Sequence, residues 1–262
     1  MYRPFTMDAH PGGMTTMTPH FPSWRLLRLR HVSFDASARA DIQQAAGRYR
    51  VPAPLIASVL ADERTRLDLF DRVQDRLMRL SLRLPTSASS ALLAVLERIC
   101  GRDVDTFSLG RAQMKSATLA RLGALGYLNV PLSPVGRRKM LLDDALAPVL
   151  VAACLRATAD HWHAHRVSLE GRPEILGTLY SLGLTGGRGV HPDPQPSARG
   201  QAIADHARWL TLRVAPWTSA SQAAAPLTSR MTSGSSRSSA FARSQLMASP
   251  VARRVCRWAR WA

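Results

Sequence analysis

The chain has 262 residues and a net charge of +17 at neutral pH, from 35 Lys and Arg against 18 Asp and Glu. That length suits one good-sized domain with tails. Three scattered cysteines, Cys100, Cys154 and Cys256, exclude a disulfide framework and a zinc site, and no apolar run reaches the length of a membrane span.

Seven Arg and no Asp or Glu lie from Ala215 onward, which leaves +10 of the +17 on the rest, so basicity is spread over the whole chain. Such a surface is drawn to polyanions: nucleic acid, anionic lipid, or the phosphates and peptide carboxylates of a bacterial envelope. Charge alone does not choose among them. Cys100 and Cys154 sit in apolar helical patterns and read as small buried hydrophobes.

The first stretch, Met1 to about Ser33, is rich in Thr, Pro, Met, Gly and His without a sustained period, and the expectation is disorder or loose attachment. It has no apolar core of the kind that marks a standard cleavable secretory signal. The basic, apolar patch Trp24 to Arg30 is too short to form a stable helix alone.

From Asp35 the pattern becomes helical, with apolar residues recurring at three and four. Asp35 or Ser37 caps a helix through Ala46, and Pro54 opens the next one, whose buried side is Leu55, Ile56, Val59 and Leu60. Glu63 follows Val59 by four, at the rim of that face. Asp68, Asp71 and Asp75 continue as a helix or helix-turn with the acids on one side.

Pro85 to Ser90 reads as a break, followed by a short helix from Ala91 to Ile99 closed by Gly101. A glycine turn at Ser108 to Gln113 precedes a helix to about Leu122. Tyr127 to Lys139 is expected to be a loop, and Asp143 or Asp144 caps a helix from Ala145 to about His161. Pro173 opens a helix that ends at Gly183, His191 to Gly200 is an extended loop, and Gln201 to Leu212 is the last helix. Beyond Ala215 the Ser-, Ala- and Arg-rich sequence carries no periodicity and reads as a disordered basic tail.

Three pieces of this chain, in this order, resemble one family: the helix leading to Glu63, the SLGRAQ turn of Ser108 to Gln113, and the PEILGTLYSLG helix of Pro173 to Gly183. Together they resemble the lysozyme-like lytic transglycosylases, the soluble-lytic-transglycosylase group that cuts bacterial peptidoglycan. LLDDALAPVLVAACLRATADHW fills the place of that family's Ala-rich helix, and the likeness runs from about Asp35 to Leu212. The resemblance implies an all-α lysozyme-like multi-helix domain over residues 34–214, between disordered segments at 1–33 and 215–262.

It also implies a chemistry. Cleaving a glycosidic bond requires a carboxylic acid kept neutral at working pH, and Glu63 is the candidate. In the family a single Glu protonates the leaving oxygen and then takes the proton of the muramic acid C6 hydroxyl, giving a 1,6-anhydro product without metal or cofactor.

Ser108 would fix the turn, Gly110 would let backbone approach a sugar, Gln113 would bond an acetamido group or neighbouring backbone, and Tyr180 would orient Glu63. The implied partner is the glycan strand of peptidoglycan, with no specific nucleic acid, and the implied location is the bacterial cell envelope or beyond it.

The chain departs from the family where Arg64 replaces the Ser common after the catalytic Glu, where Ser181 replaces Asn, and in the longer spacing from Glu63 to Ser108. Arg64 beside Glu63 would lower its pKa, the wrong direction for an acid. A hydrolysing lysozyme would use a second carboxylate from Asp68, Asp71 or Asp75, and a silent binding protein would keep the fold and use only its basic surface. His161, His163 and His165 alternate without an acidic third ligand, and His191 lies in a proline loop that could border a cleft.

Overall fold

The computed structural model describes residues 23–183 and 189–213, and these are mostly helical. The helices are α1 (Ser23–Arg30), α2 (Ala36–Tyr49), α3 (Ala53–Arg66), α4 (Leu69–Ser81), α5 (Thr86–Cys100), α6 (Ser116–Ala124), α7 (Pro134–Leu142), α8 (Ala147–Ala164), α9 (Pro173–Leu182) and α10 (Ala198–Arg213). Among the described residues an antiparallel hairpin, β1 (Ser108–Leu109) and β2 (Met114–Lys115), pairs Ser108 with Lys115 and Leu109 with Met114. The all-α class expected from periodicity is what the chain adopts. The expected tail beyond Ala215 and residues 1–22 lie outside the described residues.

Caps and prolines account for most boundaries. Asp35 caps α2 by accepting from Ala38 N, and Pro54 lies in the first turn of α3, where its missing N–H costs nothing. The chain does not run on from α3 into the next helix. It breaks at Leu67, and Asp68 starts α4 with a capping box in which Asp68 and Asp71 bond each other's backbone N–H.

Four expectations are corrected. Helix α5 begins at Thr86, directly after Pro85, because Ser and Ala sustain a helix once proline has set its first turn. The segment read as a loop up to Lys139 contains the start of α7, whose N-cap Ser133 accepts from Gly136 N at 3.0 Å and whose first residue is Pro134. Helix α10 starts at Ala198, within the stretch read as an extended loop. Residues 23–33 are not loosely attached: α1 packs on α3 and α10, and Leu29 is buried with Ala61 and Ala202. A short helix gains from tertiary contact what it lacks in local stability.

The core forms around α8 and α3. Helix α8 is buried along most of its length and touches α2, α3, α6 and α9. Helix α3 is surrounded by α1, α2, α8, α9 and α10, so every residue from Leu55 to Glu63 is buried rather than one stripe. A helix enclosed on all sides has no solvent face on which to place a charge. Its two acids, Asp62 and Glu63, must therefore find partners inside.

Helices α9 and α10 cross closely because Gly200 has no side chain: a Cβ there would stand 2.1 Å from the Glu174 carbonyl oxygen. Ser197 Oγ accepts from Gly200 N and pairs with Thr178 Oγ1, fixing the first turn of α10 on α9.

Further along α10, His206 is fully buried and stacked on Trp209, 5.6 Å between ring centres, and neither ring nitrogen has a hydrogen-bond partner. Burial, with the Arg30 charge adding to it, lowers its pKa to about 4 from 6.5. The unfolded chain therefore binds a proton that the folded chain refuses, and stability is lost as pH falls from 6.5 through 4.

His206→Leu removes this term and an unpaired polar group together. Urea unfolding should find the variant at least as stable as wild type at pH 7.5, with its advantage growing by roughly 3 kcal/mol by pH 4.

Candidate active site

Glu63 sits three residues before the end of α3, where the helix emerges from the core into a cleft of about 500 Å³. The volume is that of a small-ligand site, about 300–1,000 Å³. Ser108 and Gln113 border it from the hairpin, Tyr180 from α9, Arg199 from α10, and Cys154 from α8. Of the residues singled out in the sequence, Glu63, Ser108, Gln113 and Tyr180 are thus brought together, and Gly110 is not.

Glu63 is 8% exposed, and the pKa of its carboxyl is raised from 4.5 to about 7. Desolvation is the main cause, and the neighbouring Asp62 adds to it. Arg199 opposes it through its charge and a hydrogen bond from a terminal nitrogen to Glu63 Oε1 at 2.6 Å, and Arg66 opposes it more weakly. The same guanidinium gives its Nε to Asp62 Oδ2, also at 2.6 Å. Arg64 is exposed and is not the cation paired with Glu63; it is Arg199 that fills this role.

The hairpin is fastened from several sides. Gly110 adopts φ +67°, and a Cβ there would stand 2.0 Å from the Leu141 carbonyl oxygen at the end of α7. Its close approach is to the chain's own backbone, so its expected role of admitting a sugar is corrected. Asp75 accepts from Gly110 N at 3.2 Å, and Gln74 donates to the Ser108 carbonyl at 3.3 Å. Arg111 pairs with Asp144, which also holds Arg79.

Gln113 takes a left-handed φ of 46°, which is uncommon for a residue with a side chain, and its Nε2 donates to the Gly110 carbonyl at 2.8 Å. That bond leaves its Oε1 as the acceptor. Ser108 does not tie the turn through its hydroxyl as expected; among the described residues only its carbonyl bonds a side chain.

Tyr180 does not donate to Glu63. Its hydroxyl donates to the Ala112 carbonyl at 2.6 Å, tying α9 to the hairpin turn. Burial first, and the Glu63 charge second, hold this hydroxyl well above the usual tyrosine range, so it stays a donor. On the cleft floor the Cys154 thiol is buried and pushed up to about 12, so it is inert as a nucleophile.

The three aspartates separate. Asp71 borders the cleft but is committed to the capping box, Asp68 caps α4, and Asp75 holds Gly110. His191 is exposed and bonds within its own loop around Asp193 rather than bordering the cleft. His165 bonds the His161 carbonyl at the end of α8, and no group of His, Cys, Asp or Glu among the described residues is arranged to hold a metal ion.

The sequence reading missed Arg199 and Lys115 at this site, and with them the part Asp62 plays in holding Arg199. Two adjacent acids at the end of an apolar helix signal that a cation is needed. Nothing local to Pro196–Gly200 says that it comes from there.

Comparison with protein families, curated proteins and solved structures finds no match to this chain.

Proposed function

We propose that this chain is a peptidoglycan-cleaving enzyme of the lysozyme-like lytic transglycosylase kind, cutting the glycan between N-acetylmuramic acid and N-acetylglucosamine in the bacterial cell envelope. One observation carries the reading: Glu63 from α3, Ser108 and Gln113 from the hairpin and Tyr180 from α9 border one cleft, and the carboxyl among them is buried with a pKa of about 7. An acid so placed can hold its proton near neutral pH and recover it in the same cycle.

The steps balance on Glu63 alone. Its proton goes to the leaving glycosidic oxygen as the bond to C1 breaks. The C6 hydroxyl of the same muramic acid then bonds C1 and returns a proton to the carboxylate. Gln113 Oε1 is an acceptor suited to an acetamido N–H, and Arg66 and Lys115 are cations suited to the carboxylates of stem peptides.

Incubation with purified murein should clear it and release muropeptides ending in 1,6-anhydromuramic acid. Mass spectrometry decides, since reducing ends are heavier by one water. Reducing ends would mark a hydrolase, with Asp71 the acid that borders the same cleft.

A second reading is a binding protein without catalysis that uses its basic surface on glycan or other polyanions, and the Arg199 bond to Glu63 is what favours it. It calls for uncleaved murein and for binding that weakens steeply with salt whatever the polymer.

A further inference from the structure

Consecutive residues on a helix point about 100° apart and do not share a partner through ordinary geometry. Asp62 and Glu63 nevertheless meet one group, because the planar fork of Arg199 spans them. The two carboxylates face different spaces. Glu63 borders the cleft, Asp62 borders a neighbouring pocket of about 290 Å³, and Arg199 and Arg66 border both.

A molecule in the cleft can therefore reach Glu63 without displacing the Asp62 end of the fork. The first turn of α10 is in turn fixed on α9 through Ser197, Thr178 and Gly200. The guanidinium is thus anchored at both its root and its far side.

We propose that Arg199 is a positioning residue for Glu63, held in place by Asp62 so that one nitrogen fixes the Glu63 oxygen at the cleft rim and balances its charge once the proton has left. Asp62 sets the strength of that balance, because it shares the cation and repels the Glu63 carboxylate. This deepens the reading of Glu63 as the acid and rests on it.

Without the cation, a carboxyl this buried would release its proton only with difficulty. Without Asp62, the cation would act on Glu63 undivided and keep it ionised. A single group that must first give and then take a proton works between these limits.

The other ionisable groups around Glu63 are Arg66 on α3, Asp71 on α4, Lys115 on β2, Cys154 on α8 and Tyr180 on α9, and Arg28 of α1 joins Arg66 at the neighbouring pocket. Among the described residues, Arg199 is the cation that pairs with the carboxylates of Asp62 and Glu63.

The test titrates the Glu63 carboxyl by carbon-13 NMR in full-length protein, the signal assigned by its loss in Glu63→Gln. In Arg199→Gln the midpoint should rise by about one pH unit or more, and in Asp62→Asn, which keeps shape and loses charge, it should fall by about one, each a tenfold change in the ratio of the two forms. A general loss of packing would not move the carboxyl in opposite directions.

Shifts in the same direction, or no shift, would overturn the proposal. Where Arg199→Gln does not fold, as circular dichroism would reveal, Asp62→Asn decides alone: a fall supports the assignment and a rise or no change overturns it. Because the readout is the carboxyl itself, opposed shifts in a protein that leaves murein intact would sink the enzymatic reading and not this one.

Discussion

Glu63→Gln lowers the clearing of purified murein by about 10²–10⁴-fold, the range for removing a general acid, while the protein stays folded. The amide keeps the volume of the side chain and can still accept from Arg199, so the loss falls on proton transfer. Activity that survives the substitution at wild-type level would reject the enzymatic reading.

The wild type should show an alkaline limb with its midpoint near pH 7, where Glu63 gives up its proton, and fall about tenfold per unit above it. Zymography with both proteins and a pH series of initial rates with the wild type measure the two effects.

The same carboxyl links stability to pH. Its folded value, about 7, lies above the unfolded value near 4.5, so the folded chain holds a proton that the unfolded chain releases. Its contribution is fully present below pH 4.5 and is lost as pH rises through 7. Because the group is buried, little solvent screening applies, and the loss amounts to roughly 3 kcal/mol. Glu63→Gln lacks this slope, so the variant should gain on wild type by about that amount between pH 4 and pH 8 in denaturant unfolding.

Gly110→Ala is expected to destabilise the protein by roughly 3 kcal/mol or more and to lower its melting temperature by about 6–12 °C. Two costs coincide. The backbone at φ +67° is strained for any residue with a Cβ, and that Cβ would lie 2.0 Å from a backbone oxygen at the end of α7, which cannot rotate away.

Either the hairpin or α7 must shift. Since Asp75 holds the hairpin through Gly110 N, the shift would carry Ser108 and Gln113 with it. The variant should therefore lose ligand binding at temperatures where circular dichroism still shows native helix content. A melting temperature unchanged from wild type would mean that the hairpin does not stand against α7 in this way.

The sequence by itself determined the helical class and most helix starts, because these depend on local chemistry. Asp35 and Asp68 cap and Gly101 closes a helix through bonds to residues no more than four positions away, and Pro54 and Pro173 open helices through their fixed φ. It also marked Glu63, since an acid at the end of an apolar run is visible without any partner.

Ser133-Pro134 carried the same kind of signal for α7, and the neighbouring prolines obscured it. What no local pattern contained was the direction in which side chains from distant segments point. The cation of the site is Arg199 on α10 and not Arg64 next door. Tyr180 binds the Ala112 carbonyl and not the acid, Gly110 stands against the end of α7, and α1 takes its seat against α3 and α10.

These pairings follow from how the helices stack around α3. Packing by the neighbouring helices removed most solvent from Asp62 and Glu63 and left a guanidinium from α10, distant in the chain, as their partner.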